Sequence, residues 1–336
     1  METVVLKVDA ANPQPDVIRR AADVIRAGGL VAFPTETVYG LGANALDAAA
    51  VARIFEAKGR PATNPVILHV ADASEVLNVA ANWPETAAKL AARFWPGPLT
   101  LVVPKADRVP TIVSAGGPTV AVRCPNHRVA LALIRAAGVP VAAPSANRST
   151  ELSPTRAEHV LKSLNGRIDL LLDGGPCRGG IESTVVDATG EFPRVLRPGL
   201  VTVPMLESVC GRVEVGAKDE GVSRSPGQMA KHYSPRTELR LVHWNDMLED
   251  TIEAVHANRQ VGCIQFTRSD ASWNEILGAE SRLINLPTNP EHTAALLYDV
   301  LYRLDQANLD LILVETPPDT PEWAAVRDRL TRAAAN

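Results

Sequence analysis

Apolar positions along this chain repeat with two periods in turn, one helical and one extended, and their succession predicts an α/β architecture. After Pro15, residues Val17, Ile18, Ala21, Val24 and Ile25 fall on one helical face, with Asp16 as the expected N-cap and Gly28 as the stop. Leu30 to Phe33 is continuously apolar and reads as a buried strand, running into a turn rich in hydroxyls and glycines. A second helix carries Val51, Ile54 and Phe55, capped by Asp47 and closed by Gly59 and Pro61. Strands are predicted at Val66 to Val70, Leu99 to Val103, Val120 to Arg123, Val139 to Ala143, Leu170 to Leu172, Thr184 to Val186 and Val195 to Leu196. Helices are predicted at Glu85 to Phe94, Val129 to Ala137 and Pro154 to Leu164. Several connections are too short for a crossover helix, so the sheet is expected to be mixed.

From about Gly211 to Arg236 the chain turns polar and glycine-rich with no sustained period, which reads as a linker. Beyond it, Leu239 to Val242, Val261 to Phe266, Arg282 to Leu286 and Leu311 to Glu315 are strands separated by helical stretches, the pattern of a small Rossmann-like domain. That domain lacks the glycine fingerprint of a dinucleotide site, so bound NAD or FAD is not expected there. At 336 residues the chain exceeds the usual span of one core. The expected division is 1–206, a linker at 207–237, and 238–336.

Composition narrows the function classes. Hydrophobic residues make up 46% of the chain, enough for globular cores, and the formal net charge of −4 offers no general attraction to nucleic acid or anionic membrane. Any basic site must therefore be local, and binding duplex DNA or RNA as a main task is disfavoured. No apolar run reaches membrane-spanning length and the N-terminus lacks a signal-peptide pattern, so a cytoplasmic protein is expected. Cys124, Cys177, Cys210 and Cys263 are scattered and form no CxxC pair, which argues against a zinc site or a disulfide framework.

Candidate chemistry concentrates in the first domain. Lys58 and Arg60 flank the glycine that ends the second helix; they read either as a solvated helix end or as exposed cations turned toward a common phosphate. Asn64 precedes a strand and adds an amide. Arg123 closes an apolar strand, either as a sheet-edge arginine or as a bidentate carboxylate clamp. In Ala143 to Asn147 small residues let a flat ligand approach the backbone while Ser145 and Asn147 supply hydrogen bonds. Ser153 and Thr155 stand where either helix capping or ligand binding is possible. Arg197 follows another strand. His69 sits inside an apolar strand, where a satisfied core histidine is the ordinary outcome. No Ser-His-Asp order, HExxH or catalytic carboxylate pair can be made out, and the glycine loop at 173–184 is not a Walker A loop. These residues describe a binding groove rather than a nucleophile.

Taken in order, the motifs resemble the YrdC/Sua5 family. The family's opening PT(D/E)TVYGLG stands at Pro34 to Gly42, its KxR at Lys58 to Arg60 and its WPGPLT at Trp95 to Thr100. TVAVR, APSAN, SPT, ESTVVD and LRPG stand at Thr119 to Arg123, Ala143 to Asn147, Ser153 to Thr155, Glu182 to Asp187 and Leu196 to Gly199. The linker and second domain resemble the longer Sua5 form rather than single-domain YrdC. The resemblance implies a YrdC-like twisted mixed sheet with flanking helices and a concave groove, plus a smaller Rossmann-like α/β C-terminal domain. It also implies synthesis of L-threonylcarbamoyl-AMP from L-threonine, bicarbonate and ATP, with release of pyrophosphate, for the t6A modification at position 37 of ANN-decoding tRNAs.

Carried over residue by residue, the family pattern gives L-threonine to Thr37, His69, Arg123, the Ala143 backbone and Ser183. ATP falls to Lys58, Arg60, Asn64, Thr119, Ser145, Asn147, Ser153 and Arg197, with His232 and Tyr233 brought by the linker. Lys58 and Arg60 would act catalytically by stabilising charge, and Mg2+ would arrive with the triphosphate. The product would pass to a TsaD-type transferase complex, without stable tRNA binding by this chain. Gln228, Met229 and Ala230 replace the family's usual Met-Lys-Tyr run, which removes a linker cation. Two other readings compete with it: carbamoyl-adenylate formation of the hydrogenase-maturation type, which expects CxxC pairs and an acylphosphatase module, and a non-catalytic nucleotide- or RNA-binding regulator.

Overall fold

A computed structural model describes residues 2–216, 232–266 and 282–335. These fall into two units, one of residues 2–149 and 153–216, the other of 150–152, 232–266 and 282–335. Gln228, Met229 and Ala230 lie outside the described residues.

The first unit is built on one mixed sheet. Its strands are β1 (Val4–Lys7), β2 (Val31–Phe33), β3 (Gly40–Asn44), β4 (Ile67–His69), β5 (Leu99–Pro104), β6 (Thr119–Arg123), β7 (Val141–Ala142), β8 (Leu170–Asp173), β9 (Thr184–Asp187), β10 (Arg194–Arg197) and β11 (Glu214–Val215). Their order is β1-β8-β2-β3-β7-β4-β6-β5-β9-β10-β11. Parallel pairs such as β4 with β6 alternate with antiparallel ones such as β5 with β6. The helices are α1 (Pro15–Arg26), α2 (Ala48–Lys58), α3 (Glu85–Phe94), α4 (Arg128–Ala137), α5 (Ala157–Leu164) and α6 (Val203–Cys210).

Residue parity decides which sheet face each helix covers. Leu68, Leu99, Leu101, Val120, Val122, Ala142 and Val186 project to one side and join a core with apolar residues of α2, α3, α5 and α6. On the other side, α1 and α4 pack over Val31, Phe33, Val141 and Leu172. Burying a side chain of this size contributes about 1.5–3 kcal/mol, so these two cores hold the sheet. Further along that second face, Ile67, Val102, Ala121 and Val185 form a small separate cluster with no helical residue in it.

Several local expectations need correction. Asp16 is not the N-cap of α1: the helix starts at Pro15, whose fixed φ suits the first turn, and Asp16 favours the same end through its charge. The stretch from Gly40 to Asn44 is a strand paired antiparallel with β2 rather than part of a turn. Its glycines read as turn residues, but a Cβ on Gly42 would come within 2.8 Å of the Phe33 ring and 2.9 Å of Val141, so glycine here allows close sheet packing. The helix expected from Pro154 begins at Ala157 with Arg156 as N-cap, and neither Ser153 nor Thr155 caps it. Strand β1 was not foreseen. Helix α6 runs across the 206/207 boundary read from the sequence, and β11 pairs with β10, so elements of this sheet continue to Val215.

In the second unit, β12 (Glu238–Val242), β15 (Leu311–Glu315), β13 (Val261–Gln265) and β14 (Arg282–Asn285) lie in that order, all parallel. Helices α7 (Met247–His256), α8 (Pro290–Asp305) and α9 (Ala324–Ala333) accompany them, the Rossmann-like arrangement that the strand and helix pattern implies. The short segment Thr150–Leu152 belongs here as well: Thr150 O accepts from Ser234 N at 2.9 Å, and the buried Tyr302 hydroxyl donates to Leu152 O at 2.7 Å.

Candidate active site

The part of the second face around that small cluster, which includes no helical residue among those described, carries the polar residues. His69 pairs in register with Arg123, and Ile67 with Ala121, so Thr119, Ala121 and Arg123 of β6 point the same way as Ile67 and His69 of β4. Val141 pairs with His69, which puts the odd-numbered positions after β7, Ala143 and Ser145, on that side in sequence parity. Thr100 pairs with Val185, and Val185 with Arg197. Ser183, two residues before Val185, continues the same parity. Five neighbouring strands thus deliver His69, Thr119, Arg123, Thr100, Ser183 and Arg197 to one surface, floored by the small apolar cluster.

Around Arg123 the contacts are dense. The side chain is buried; its Nε donates to Gly97 O at 3.2 Å, and its Nη2 stands 2.7 Å from Glu36 Oε1. That approach is an ion pair by distance but lacks hydrogen-bond alignment, and neither oxygen of Glu36 nor Nη2 of Arg123 makes a hydrogen bond. Arg123 is no sheet-edge residue, since β6 lies between β4 and β5. Glu36 and Thr37 sit in the loop joining β2 to β3, whose backbone is fixed by Gly179 N donating to Glu36 O at 2.7 Å and Gly180 N to Thr37 O at 3.1 Å. The Thr35 and Thr37 hydroxyls lie 2.8 Å apart.

His69 is buried with its Nδ1 unpartnered. Burial first, and then the Arg123 charge, pull its imidazole down to about 3, so it is neutral near pH 7 and serves as a hydrogen-bonding group. Ser183 shares a 2.8 Å hydrogen bond with Thr100, and Arg197 donates to Ser183 O through Nε at 3.1 Å and Nη2 at 3.0 Å. Ala143 N donates to Ile67 O at 2.8 Å.

The KxR cations are not the exposed pair the sequence suggested. Lys58 is 2% exposed, and its ammonium donates to Ser145 O at 2.6 Å and also to Asn147 O. It holds the small polar loop after β7 in place. Arg60 is 8% exposed and donates to Asn64 O at 3.1 Å and Pro65 O at 2.7 Å. The solvated-helix-end reading therefore fails for both, because their heads turn inward to carbonyls of the loop after β7 and of the Asn64–Pro65 turn. Asn64 Nδ2 is buried without a hydrogen bond. Ser153 donates to the buried Glu182 rather than capping a helix.

Within the second unit, Tyr233 is buried with positive φ, its ring beside Tyr298 and under the Arg329 guanidinium at 5.1 Å, while His232 N donates to Arg332 O at 3.3 Å. Among the described residues no helix is long and apolar enough to cross a membrane, and no group of three or more His, Cys, Asp or Glu could hold a metal ion. Sequence reasoning did not single out Glu36, Gly97, Thr100 or Glu182. Glu36 carried the clearest signal, a carboxylate set between two threonines in a binding loop.

Fold and site together define a two-domain α/β protein whose first unit carries cations and hydroxyls on one sheet surface. Comparison with known proteins makes this specific. Residues 23–199 match the Sua5/YciO/YrdC family model, described as telomere recombination, and residues 201–335 match the model of the threonylcarbamoyl-AMP synthase C-terminal domain. The chain belongs to the Sua5/YrdC family in its two-domain Sua5 form. It is 43% identical to the threonylcarbamoyl-AMP synthase of Pyrococcus abyssi over 94% of both chains. It is 43% identical to that of Bacillus subtilis, covering 97% of this chain and 95% of the relative. The crystal structure of P. abyssi Sua5 complexed with L-threonine superposes with a TM-score of 0.91 at 41% identity, covering 99% of this chain and 98% of that one.

Proposed function

We propose that this chain is an L-threonylcarbamoyl-AMP synthase, joining L-threonine, bicarbonate and ATP and releasing pyrophosphate and water. The observation that carries the reading is the strand register, which sets His69, Arg123, Ser183, Thr119 and Arg197 in one parity on one sheet face, beside an apolar cluster that includes no helical residue among those described. Full-length likeness to synthases, one of them solved with L-threonine, supports the same conclusion.

In this reading Arg123 clamps the threonine carboxylate, a role suited to a buried guanidinium held at Nε by Gly97 O. Thr37, Ser183, neutral His69 and the Ala143 backbone surround the remaining polar groups. Threonine's amine and bicarbonate give an N-carboxy group, whose oxygen attacks the α-phosphorus of ATP as pyrophosphate leaves. The protein's task is to align two anions and neutralise charge, which needs cations and hydroxyls rather than a nucleophile. ATP falls to Lys58, Arg60, Asn64, Thr119, Ser145, Asn147, Ser153 and Arg197, with His232 and Tyr233 as further partners carried by the resemblance. Mg2+ comes with the triphosphate, bound by phosphate oxygens and water. The product is handed to a TsaD-type transferase for t6A formation.

The test is product identity. With carbon-13 bicarbonate, L-threonine and ATP, an adenylate of threonylcarbamoyl mass carrying one heavy carbon is expected. A carbamoyl adenylate, or no adenylate despite ATP binding, would refute the assignment.

A further inference from the structure

The Glu36–Arg123 pair has a use that the binding roles above leave out. A buried ion pair is favourable only when its remaining lone pairs and protons are also hydrogen-bonded. Here Glu36 Oε1 stands 2.7 Å from Arg123 Nη2, and both carboxylate oxygens and Nη2 are shielded from solvent, yet none makes a hydrogen bond. The backbone under Glu36 cannot relax easily, because Gly179 N holds Glu36 O at 2.7 Å and Leu200 and Glu36 O leave no room for a Cβ at Gly179. A fixed anion and a fixed cation, adjacent and under-bonded, match an amino acid zwitterion, whose carboxylate and ammonium are adjacent in the same way.

The geometry points to Glu36 as the receptor for threonine's ammonium group and the acceptor of its proton, with Arg123 taking the carboxylate. This rests on the threonine site proposed above. Entry of the zwitterion replaces one under-bonded pair by two charge-assisted ones. Glu36 then removes one proton from the ammonium. The freed nitrogen lone pair forms the N–C bond to the carbon of bicarbonate, the bicarbonate hydroxyl leaves with an amine hydrogen as water, and the proton on Glu36 passes to solvent. The sum is ammonium plus bicarbonate giving N-carboxylate, water and one proton. None of the groups placed around threonine above is an anion, and without a proton acceptor the ammonium has no lone pair with which to attack.

Calorimetric binding of L-threonine and of its 2-hydroxy analogue, 2,3-dihydroxybutanoate, tests this in the wild-type chain, Glu36→Gln and Glu36→Asp. The wild type is expected to prefer threonine by about 30-fold or more, the scale of a buried charge-assisted bond. Glu36→Gln should bring the two ligands within about 3-fold of each other, by the same reckoning. It should also lower turnover at saturating threonine by about 100-fold, as for loss of a general base. Glu36→Asp should recover part of both, and ATP affinity should be unchanged in each variant. Equal weakening of both ligands in Glu36→Gln, or an unaltered preference, would overturn the assignment. A wild-type chain that binds neither ligand would overturn the threonine site itself, an outcome distinct from loss of preference in the variant alone.

Discussion

At Arg60 and Lys58 the structure turns two charges that look solvated into buried braces. The sequence offered no sign of this, because the carbonyls that draw them inward belong to a loop some 87 residues away for Lys58, and to a local turn for Arg60 whose shape is set by packing. In the proposed reading these cations therefore serve stability and nucleotide binding together. Arg60→Ala leaves Asn64 O and Pro65 O short of a donor inside the protein, so it should cost about 2–4 kcal/mol in urea unfolding. ATP turnover should fall at least about 10-fold, the loss expected for a charge-assisted phosphate contact. His69 makes a second prediction. Its imidazole is lowered from 6.5 to about 3 in the folded chain, so between those values the unfolded chain takes up a proton that the folded chain refuses. Stability should therefore fall as pH drops below 6.5, by up to about 1.4 kcal/mol per unit from this group. Urea midpoints at pH 7 and pH 5 should show that slope flattened in His69→Gln. The sequence placed His69 in a strand but left open whether it was core or site; its register with Arg123 could not be read without strand order.

At the level of elements, the fold was legible wherever a period persisted over several residues. Glu85–Phe94 and Leu311–Glu315 stand as expected because their apolar positions repeat without interruption. Gly40–Asn44 was obscured because its alternation runs through glycine, which carries no side chain to reveal the face it occupies. The parity that gathers the site residues was present in the sequence, but it becomes a site only once strand order is known, and that order joins β4, β6, β5, β9 and β10 against chain order. The loop carrying Glu36 and Thr37 depends on a second loop for its shape. A Cβ on Gly179 would meet Glu36 O at 2.9 Å and Leu200 at 2.8 Å. Gly179→Ala should raise the KM for threonine about 10-fold while costing about 1–3 kcal/mol of stability, the usual effect of overpacking. Unchanged threonine kinetics in a folded variant would mean that this loop does not shape the amino acid site.

At the scale of the molecule, composition and charge indicated a globular chain with local basic sites, and motif order indicated the family; the standing of Thr150–Leu152 in the second unit was invisible, since nothing in three residues announces which core they join. Tyr302→Phe removes the donor to Leu152 O and should lower the stability of the second unit by about 1–2 kcal/mol in thermal unfolding. The first unit's sheet face is the proposed seat of adenylate synthesis. Pyrophosphate release from ATP by the full chain, with threonine and bicarbonate each omitted in turn and serine as the control amino acid, tests it most directly. Release is expected only when ATP, L-threonine and bicarbonate are all present, with serine much the poorer substrate. Release that persists without threonine would contradict it.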